Sequence, residues 1–309
     1  MVSVSSSAPS NNSAALTLLK GSSRSAAPAQ SAASQILSSI SGAKLDPLKQ
    51  AAGEITRILL EGGGQLIVGG AFSGITGTDK DDVVYAGPGG SVDGGDGDDI
   101  INGSVEMHIS GGAGNDKIAV GANSTIDGGD GDDILSAGSG STILGGAGND
   151  TISSFGSTVN AGTGDDTIRA SRGSTISAGT GDDRISAGVG NTINSGSGND
   201  KITISGLQAT KEVQSGSTIK FAVGDGQDSI ALLRSSSTLE LGEGFTAANT
   251  RVTISDNKAT ISFDGNETDG ISVDFFFGSK LTLSFADGST LEVNPPDAAP
   301  SYLSSYGEV

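Results

Sequence analysis

The sequence predicts an all-β protein: a parallel β-solenoid of 17-residue coils, with a helical cap before it and an antiparallel β cap after it. Three observations predict this. One glycine-rich phrase recurs at a fixed interval, each phrase ends in a polar–aliphatic–polar triplet, and an acidic residue holds the same place in every copy. The phrases are GGDGDDIIN from Gly94, GGAGNDKIA from Gly111, GGDGDDILS from Gly128, GGAGNDTIS from Gly145, AGTGDDTIR from Ala161, AGTGDDRIS from Ala178 and SGSGNDKIT from Ser195. GTDKDDVVY from Gly77 is a weaker first copy and VGDGQDSIA from Val223 a worn last one. The seven full copies start 17 residues apart, except for a step of 16 from Gly145 to Ala161.

Within a phrase, glycine supplies the positive-φ angles of a tight turn. The closing triplet is a very short strand with one side chain turned inward. Eight-residue companions such as AGSGSTIL from Ala137 and AGVGNTIN from Ala187 lie between phrases and end in a similar strand, so one coil is turn, strand, shorter turn, strand. Stacking the coils forms two inward rows. One is Val84, Ile101, Ile118, Leu135, Ile152, Ile168, Ile185 and Ile202; the other is Val92, Ile109, Ile126, Ile143, Val159, Ile176 and Ile193. Each buried aliphatic contributes roughly 1.5–3 kcal/mol. Ordering a coil costs about 1–2 kcal/mol per residue in backbone entropy, so a core of two side chains per coil needs help.

The acids indicate its source. Asp82, Asp99, Asp116, Asp133, Asp150, Asp166, Asp183 and Asp200 stack in register on one edge, many with a second acid beside them (Asp81, Asp98, Asp132, Asp165, Asp182). Such a column repels itself unless cations sit between the coils. Carboxylates and turn carbonyls, without His or Cys, are hard oxygen ligands that favour calcium over zinc or copper.

The tandem GGxGxDxUx pattern resembles the haemolysin-type calcium-binding (RTX) repeat family. The resemblance covers residues 77–203 and implies a parallel β-roll with calcium between successive turns, held by the aspartates and by glycine carbonyls. Carried onto this sequence, the ligand set is Asp82, then Gly95, Gly97 and Asp99, Gly112, Gly114 and Asp116, Gly129, Gly131 and Asp133, Gly146, Gly148 and Asp150. It continues with Gly162, Gly164 and Asp166, Gly179, Gly181 and Asp183, and Gly196, Gly198 and Asp200. Every second turn departs from the family by ending in Ser-Thr or Asn-Thr, which restricts calcium to one edge. Eight acidic turns leave about seven gaps and so about seven ions, offsetting much of the formal charge of −19.

The flanks divide the chain further. Residues 1–33, Ser/Ala-rich and without a signal-peptide core, are expected to be a disordered tail. Residues 34–64 are expected to be a helical cap. Asp46 serves as N-cap, Pro47 as first helical residue, Leu48, Ala51, Ala52, Ile55, Ile58 and Leu59 as the apolar face, and Gly62 to Gly64 as the stop. A membrane or partner contact through that amphipathic helix is the alternative. The roll occupies 65–231, opening with a strand from Gln65 to Phe72 and interrupted by a non-repeat insertion at 204–222. Residues 232–294 alternate like an antiparallel meander and resemble the domain that often follows such repeats. Residues 295–309 form a tail which, by the same resemblance, belongs to an uncleaved type I secretion signal.

The chain has no cysteine, a single histidine (His108, expected to face outward) and a pI near 4.2, which exclude thiol chemistry and disfavour nucleic acid. There is no HExxH, and no Ser/His/Asp set forms around one histidine, so no enzyme is expected. The expectation is a secreted, extracellular or surface-associated protein that uses the type I machinery. It folds on extracellular calcium and serves as a non-catalytic surface, matrix or host-interaction protein. An outward row of Thr125, Thr142, Thr158, Thr175 and Thr192 leaves ice binding as a lower alternative.

Overall fold

The computed structural model describes residues 4–5, 51–206 and 213–294. It divides into two compact units, Met1–Thr151 and Ile152–Val309, and each contains parallel β-solenoid coils of about 17 residues. No helix occurs among the described residues, and none is therefore long and apolar enough to cross a membrane.

In the first unit one sheet stacks Gln65–Gly69, Val83–Ala86, Ile100–Gly103, Lys117–Val120 and Ile134–Ala137 in parallel. The other stacks Gly74–Thr78, Ser91–Asp96, His108–Ala113, Thr125–Asp130 and Thr142–Ala147. Like residues pair with like, as in Ile109↔Ile126↔Ile143. The expected inward rows are buried throughout, and His108 is exposed at the start of its strand, as expected.

The 17-residue register depends on glycine at the turns. Gly129 has φ +111, and a Cβ there would lie 1.9 Å from the carbonyl oxygen of Gly112 in the preceding coil. Only hydrogen fits against that carbonyl.

The expected helix gives way to a hairpin. Ile55–Leu59 is a strand, antiparallel to Gln65–Gly69 with Ile58 opposite Leu66, and Val4–Ser5 pairs antiparallel on its other side. Gly62 and Gly63 (φ +107 and +99) turn the hairpin between Leu60 and Gly64, where the Leu60 N–H donates to the Gly64 carbonyl at 2.7 Å. Ile55, Ile58 and Leu59 fit one face of a helix, but β-branched Ile55 and Thr56 also suit a strand, and the roll's exposed first strand supplies the partner that decides between them. Residues 34–50 of the expected cap lie outside the described residues, as do the rest of 1–33 and the tail 295–309. The first strand ends at Gly69 rather than Phe72, whose φ of +57 places it in a turn.

In the second unit the parallel ladders continue past the expected break. Thr167–Ala170, Arg184–Gly188, Lys201–Ser205, Gln227–Leu233 and Asn266–Phe276 form one. Thr158–Thr163, Thr175–Thr180, Thr192–Ser197, Gln214–Phe221, Ser235–Leu241 and Lys280–Phe285 form the other. The stretch 204–222, read as an insertion, thus contributes a paired strand, although 207–212 lie outside the described residues. The stretch 232–294, read as a separate antiparallel meander, extends both parallel ladders through Phe285. Its antiparallel parts are the run Thr250–Ser255, Lys258–Phe263 and Asn266–Phe276, and the pair Lys280–Phe285 with Thr290–Val293. Alternating polarity reports a half-buried strand but not the direction of its neighbour. Phe221, Phe245 and Phe263, with ring centroids 4.0–5.9 Å apart, fill this end of the core.

A pair of substitutions tests the role of the turn glycines. Gly173 has φ +71, and a Cβ there would meet nothing within 4 Å, so Gly173→Ala should cost about 1–2 kcal/mol for the left-handed conformation alone. Gly129→Ala must also move a backbone carbonyl and should cost more, on the order of 3–4 kcal/mol. Denaturant midpoints of the two variants check this, and equal losses would refute the close-approach account.

Candidate metal centre

The acidic column is buried. Asp82, Asp99, Asp116, Asp133, Asp150, Asp166, Asp183 and Asp200 are each at most 2% exposed. In the first unit one carboxylate oxygen bonds between coils. The N–H of Asp82 donates to Oδ1 of Asp99 at 2.7 Å, that of Asp99 to Asp116 at 2.8 Å, that of Asp116 to Asp133 at 2.7 Å and that of Asp133 to Asp150 at 2.8 Å. The second unit repeats the ladder from Asp166 to Asp183 and from Asp183 to Asp200, both at 2.8 Å.

The other oxygen does not share this arrangement. Oδ2 of Asp99, Asp116, Asp133, Asp183 and Asp200 is buried without a hydrogen-bond partner. It lies inside the turn, where a Cβ on Gly94, Gly111 or Gly128 would come within 2.1–2.2 Å of the Oδ2 of Asp99, Asp116 or Asp133. An unpartnered buried carboxylate oxygen is costly, and its hard-oxygen chemistry fits a calcium ion. Among the described residues no three His, Cys, Asp or Glu side chains cluster for an ion. A metal here would therefore be held by carboxylate together with backbone carbonyls. The carbonyls beside Oδ2 are those of Gly111, Gly128 and Gly145, 2.4–2.5 Å from the same Cβ positions on Gly94, Gly111 and Gly128; the glycines expected as ligands instead stack their carbonyls coil on coil. Oxygens of Gly95, Gly112 and Gly129 abut the next coil's Gly112, Gly129 and Gly146, while those of Gly97, Gly114 and Gly131 abut Gly114, Gly131 and Gly148. Gly162, Gly164, Gly179 and Gly181 stand in the same relation to Gly179, Gly181, Gly196 and Gly198.

A second ladder runs outside the first in the opposite direction. Oδ1 of Asp81 accepts from the N–H of Asp98, Asp98 from Asn115, Asn115 from Asp132 and Asp132 from Asn149. In the second unit Asp165 accepts from Asp182, Asp182 from Asn199 and Asn199 from Gln227. The companion edge carries a neutral counterpart: the N–H of Met107 donates to Ser124 Oγ and that of Ser124 to Ser141 Oγ. Likewise Ser157 donates to Ser174, Ser174 to Asn191 Oδ1, Asn191 to Ser217 and Ser217 to Ser237. That serine ladder escaped the sequence reading, although the recurring Ser before each companion Thr was its signal.

One aspartate in each unit differs from the rest. Oδ1 of Asp82 accepts from the Gln65 N–H, and Oδ2 accepts from Thr78 N–H at 2.6 Å and Thr78 Oγ1 at 3.1 Å. In the second unit Asp228, missed in sequence although it sits at the aspartate place of the worn repeat, continues the ladder beyond Asp200. Its Oδ1 takes the Asp200 N–H at 3.0 Å and its Oδ2 the Ser195 hydroxyl at 3.2 Å. Asp269 then accepts the N–H groups of Gly224 and Gly226 at 2.8 and 3.1 Å.

A family model for the RTX calcium-binding nonapeptide repeat (4 copies) matches residues 91–105, 108–124, 121–142, 141–157, 153–174, 160–193 and 174–202. The chain carries RTX repeats. No curated protein matches it. Among solved structures it is similar to the extracellular lipase LipA from Serratia marcescens, at 17% identity over 65% of this chain and 38% of the lipase, with a TM-score of 0.25. The chain thus spans well under two thirds of that lipase. RTX repeats bind calcium, and the unpartnered Oδ2 row on one edge is where the structure fits it.

Burial, opposed by the backbone hydrogen bond and reinforced by neighbouring carboxylates, pushes the carboxyls of Asp99, Asp116 and Asp183 up to about 7 and that of Asp133 to about 6. An unfolded aspartate titrates near 3.9. The metal-free fold therefore binds more protons than the unfolded chain, so its stability falls as pH rises from about 4 through about 7 and levels off above that. Without calcium, lowering the pH from 8 to 5 should therefore shift the chain toward the fold, seen as a gain of β signal by circular dichroism; a loss of β signal over that range would contradict the buried column. Asp116→Asn keeps an acceptor for the Asp99 N–H while removing one charge. It should raise metal-free stability and weaken the calcium response, and an unchanged calcium response by calorimetry would remove Asp116 from the site.

Proposed function

We propose that this protein is secreted through the type I machinery, remains unfolded in the low calcium of the cell and folds into its roll on extracellular calcium. It then serves as a non-catalytic surface, matrix or host-interaction protein. The row of buried, unpartnered Oδ2 atoms carries this reading. Ions that bind only the folded chain contribute their binding free energy to folding. About seven ions, one per gap of the column, is the stoichiometry proposed. Acidic residues spread along the chain keep the metal-free form self-repelling and expanded, as export requires. With Ile55–Leu59 in a strand, the amphipathic helix of the membrane alternative loses its C-terminal half.

Far-UV circular dichroism during a calcium titration tests the proposal, with magnesium as control. A cooperative coil-to-β transition at about 10⁻⁴–10⁻³ M calcium, absent in magnesium, is expected. A chain already fully β without metal would sink it.

One observation favours a second reading. In the second unit the outward threonines run in unbroken register, Thr158↔Thr175↔Thr192↔Thr218↔Thr238↔Thr282. A regular hydroxyl row on a flat sheet suits an ordered lattice of water, as in ice binding. The neighbouring outward column includes Lys220 and Glu240, whose hydrated charges oppose that use. Ice binding predicts thermal hysteresis lost in Thr175→Lys; no hysteresis in the wild-type protein ends this reading.

A further inference from the structure

Sheet ends invite pairing with other chains unless they are guarded. Several ends here are guarded. Ile55–Leu59 is covered by Val4–Ser5, the Thr76 carbonyl of Gly74–Thr78 is taken by Arg57 Nη2 at 2.7 Å, and Thr290–Val293 has only four residues and an exposed Glu292. Thr250–Ser255 ends its sheet with none of these devices.

Its hydrogen-bond phase follows from its neighbours. The Phe275 N–H donates to the Asn257 carbonyl at 2.8 Å, so Ala259 and Ile261 turn their backbone groups toward Asn266–Phe276. Lys258, Thr260 and Ser262 then bond to Ser255, Thr253 and Arg251. The N–H and C=O of Val252 and Ile254 therefore point away from the sheet, and no described residue bonds to them. Their side chains share the face of buried Ile261 and Ala259, yet Val252 is only half-buried and Ile254 is 40% exposed. The apolar core runs to this edge, and no described residue covers it there. The strand has no proline, glycine or register shift, and its one charge, Arg251, is neutralised by both oxygens of Asp264 at 2.5 and 2.8 Å.

We propose that Thr250–Ser255 is a homodimer interface, on which a second copy of the same strand pairs antiparallel about a two-fold axis at Thr253. In that register Val252 exchanges both backbone bonds with Ile254 of the second copy, and Ile254 with its Val252. Each apolar side chain covers the other's, and no like charges face across the contact. One strand thus satisfies itself in donors, acceptors and apolar pattern, which is the requirement of an isologous interface. The interface is independent of how calcium is bound.

Thr253 falls at a non-hydrogen-bonded pair, with Cα atoms about 4.5 Å apart, within the span of a disulfide. The chain has no cysteine, so Thr253→Cys can oxidise only across two copies. With the full chain in calcium, sedimentation should give twice the monomer mass, and Thr253→Cys should crosslink to near completion under mild oxidant. Ser262→Cys, exposed on the neighbouring strand, should not. Ile254→Lys should return the mass to monomer with an unchanged circular dichroism spectrum. A monomer at every concentration, with Thr253→Cys crosslinking no faster than Ser262→Cys, would overturn the proposal.

Discussion

A buried carboxylate needs partners for two oxygens, and the stacked turns supply one. This constraint organises both edges of the roll. On the acidic edge Asp99, Asp116, Asp133, Asp183 and Asp200 bridge to the preceding coil through Oδ1 and leave Oδ2 buried without a hydrogen-bond partner. On the companion edge the same bridging role falls to Ser124, Ser141, Ser174 and Asn191, whose neutral side chains leave no buried charge. The companion edge thus shows, within the same molecule, that ladder bonding alone is achievable without acid. Aspartate is therefore a costly choice as a ladder residue, since desolvation penalises its charge, and it is explained by a cation that makes use of that charge. The RTX match and the oxygen-only donor set agree on calcium.

The outer ladder shows how the charge is moderated. Asp98, Asn115, Asp132 and Asn149 alternate acid and amide while keeping one kind of bond. Asparagine supplies the same Oδ1 acceptor at no charge, so alternate coils keep the ladder and shed the repulsion. Repulsion from neighbouring acids is already felt by the inner column, where it adds to burial in raising the carboxyls of Asp99 and Asp116. A uniformly acidic outer row would increase it.

The repeat made most of this legible in sequence. A fixed period places like residues on like residues, so the buried rows and the aspartate column follow from counting. Legibility failed where the period did. Ile55, Ile58 and Leu59 follow helical spacing, and only the first coil's open strand draws this β-branched stretch into a sheet instead. Beyond Thr203 the coils lengthen irregularly, so 204–222 read as an insertion, and alternation in Ser235–Leu241 says nothing about which strand lies alongside, so parallel continuation there looked like part of a meander. Asp228 was hidden for a related reason. Its phrase starts at Val223, 28 residues after Ser195 rather than 17, so counting by the period misses the aspartate that the column uses.

Asp82 in the first unit and Asp228 in the second have a different logic from the aspartates of the repeated turns. Asp82 has Gln65 and Thr78 on its two oxygens, and Thr78 stands where later turns have the first φ-positive glycine. Threonine at that place keeps its carbonyl against Gly95, as the later glycines do against theirs, and gains a hydroxyl that satisfies the carboxylate internally. Asp228 has a ladder bond on one oxygen and Ser195 on the other, and Asp269 beyond it draws two glycine N–H groups. Asp82 in the first unit and Asp228 in the second are thus closed by the chain's own donors. The open oxygens of Asp99, Asp116, Asp133, Asp183 and Asp200 belong to the repeated turns, and the cation requirement belongs there with them.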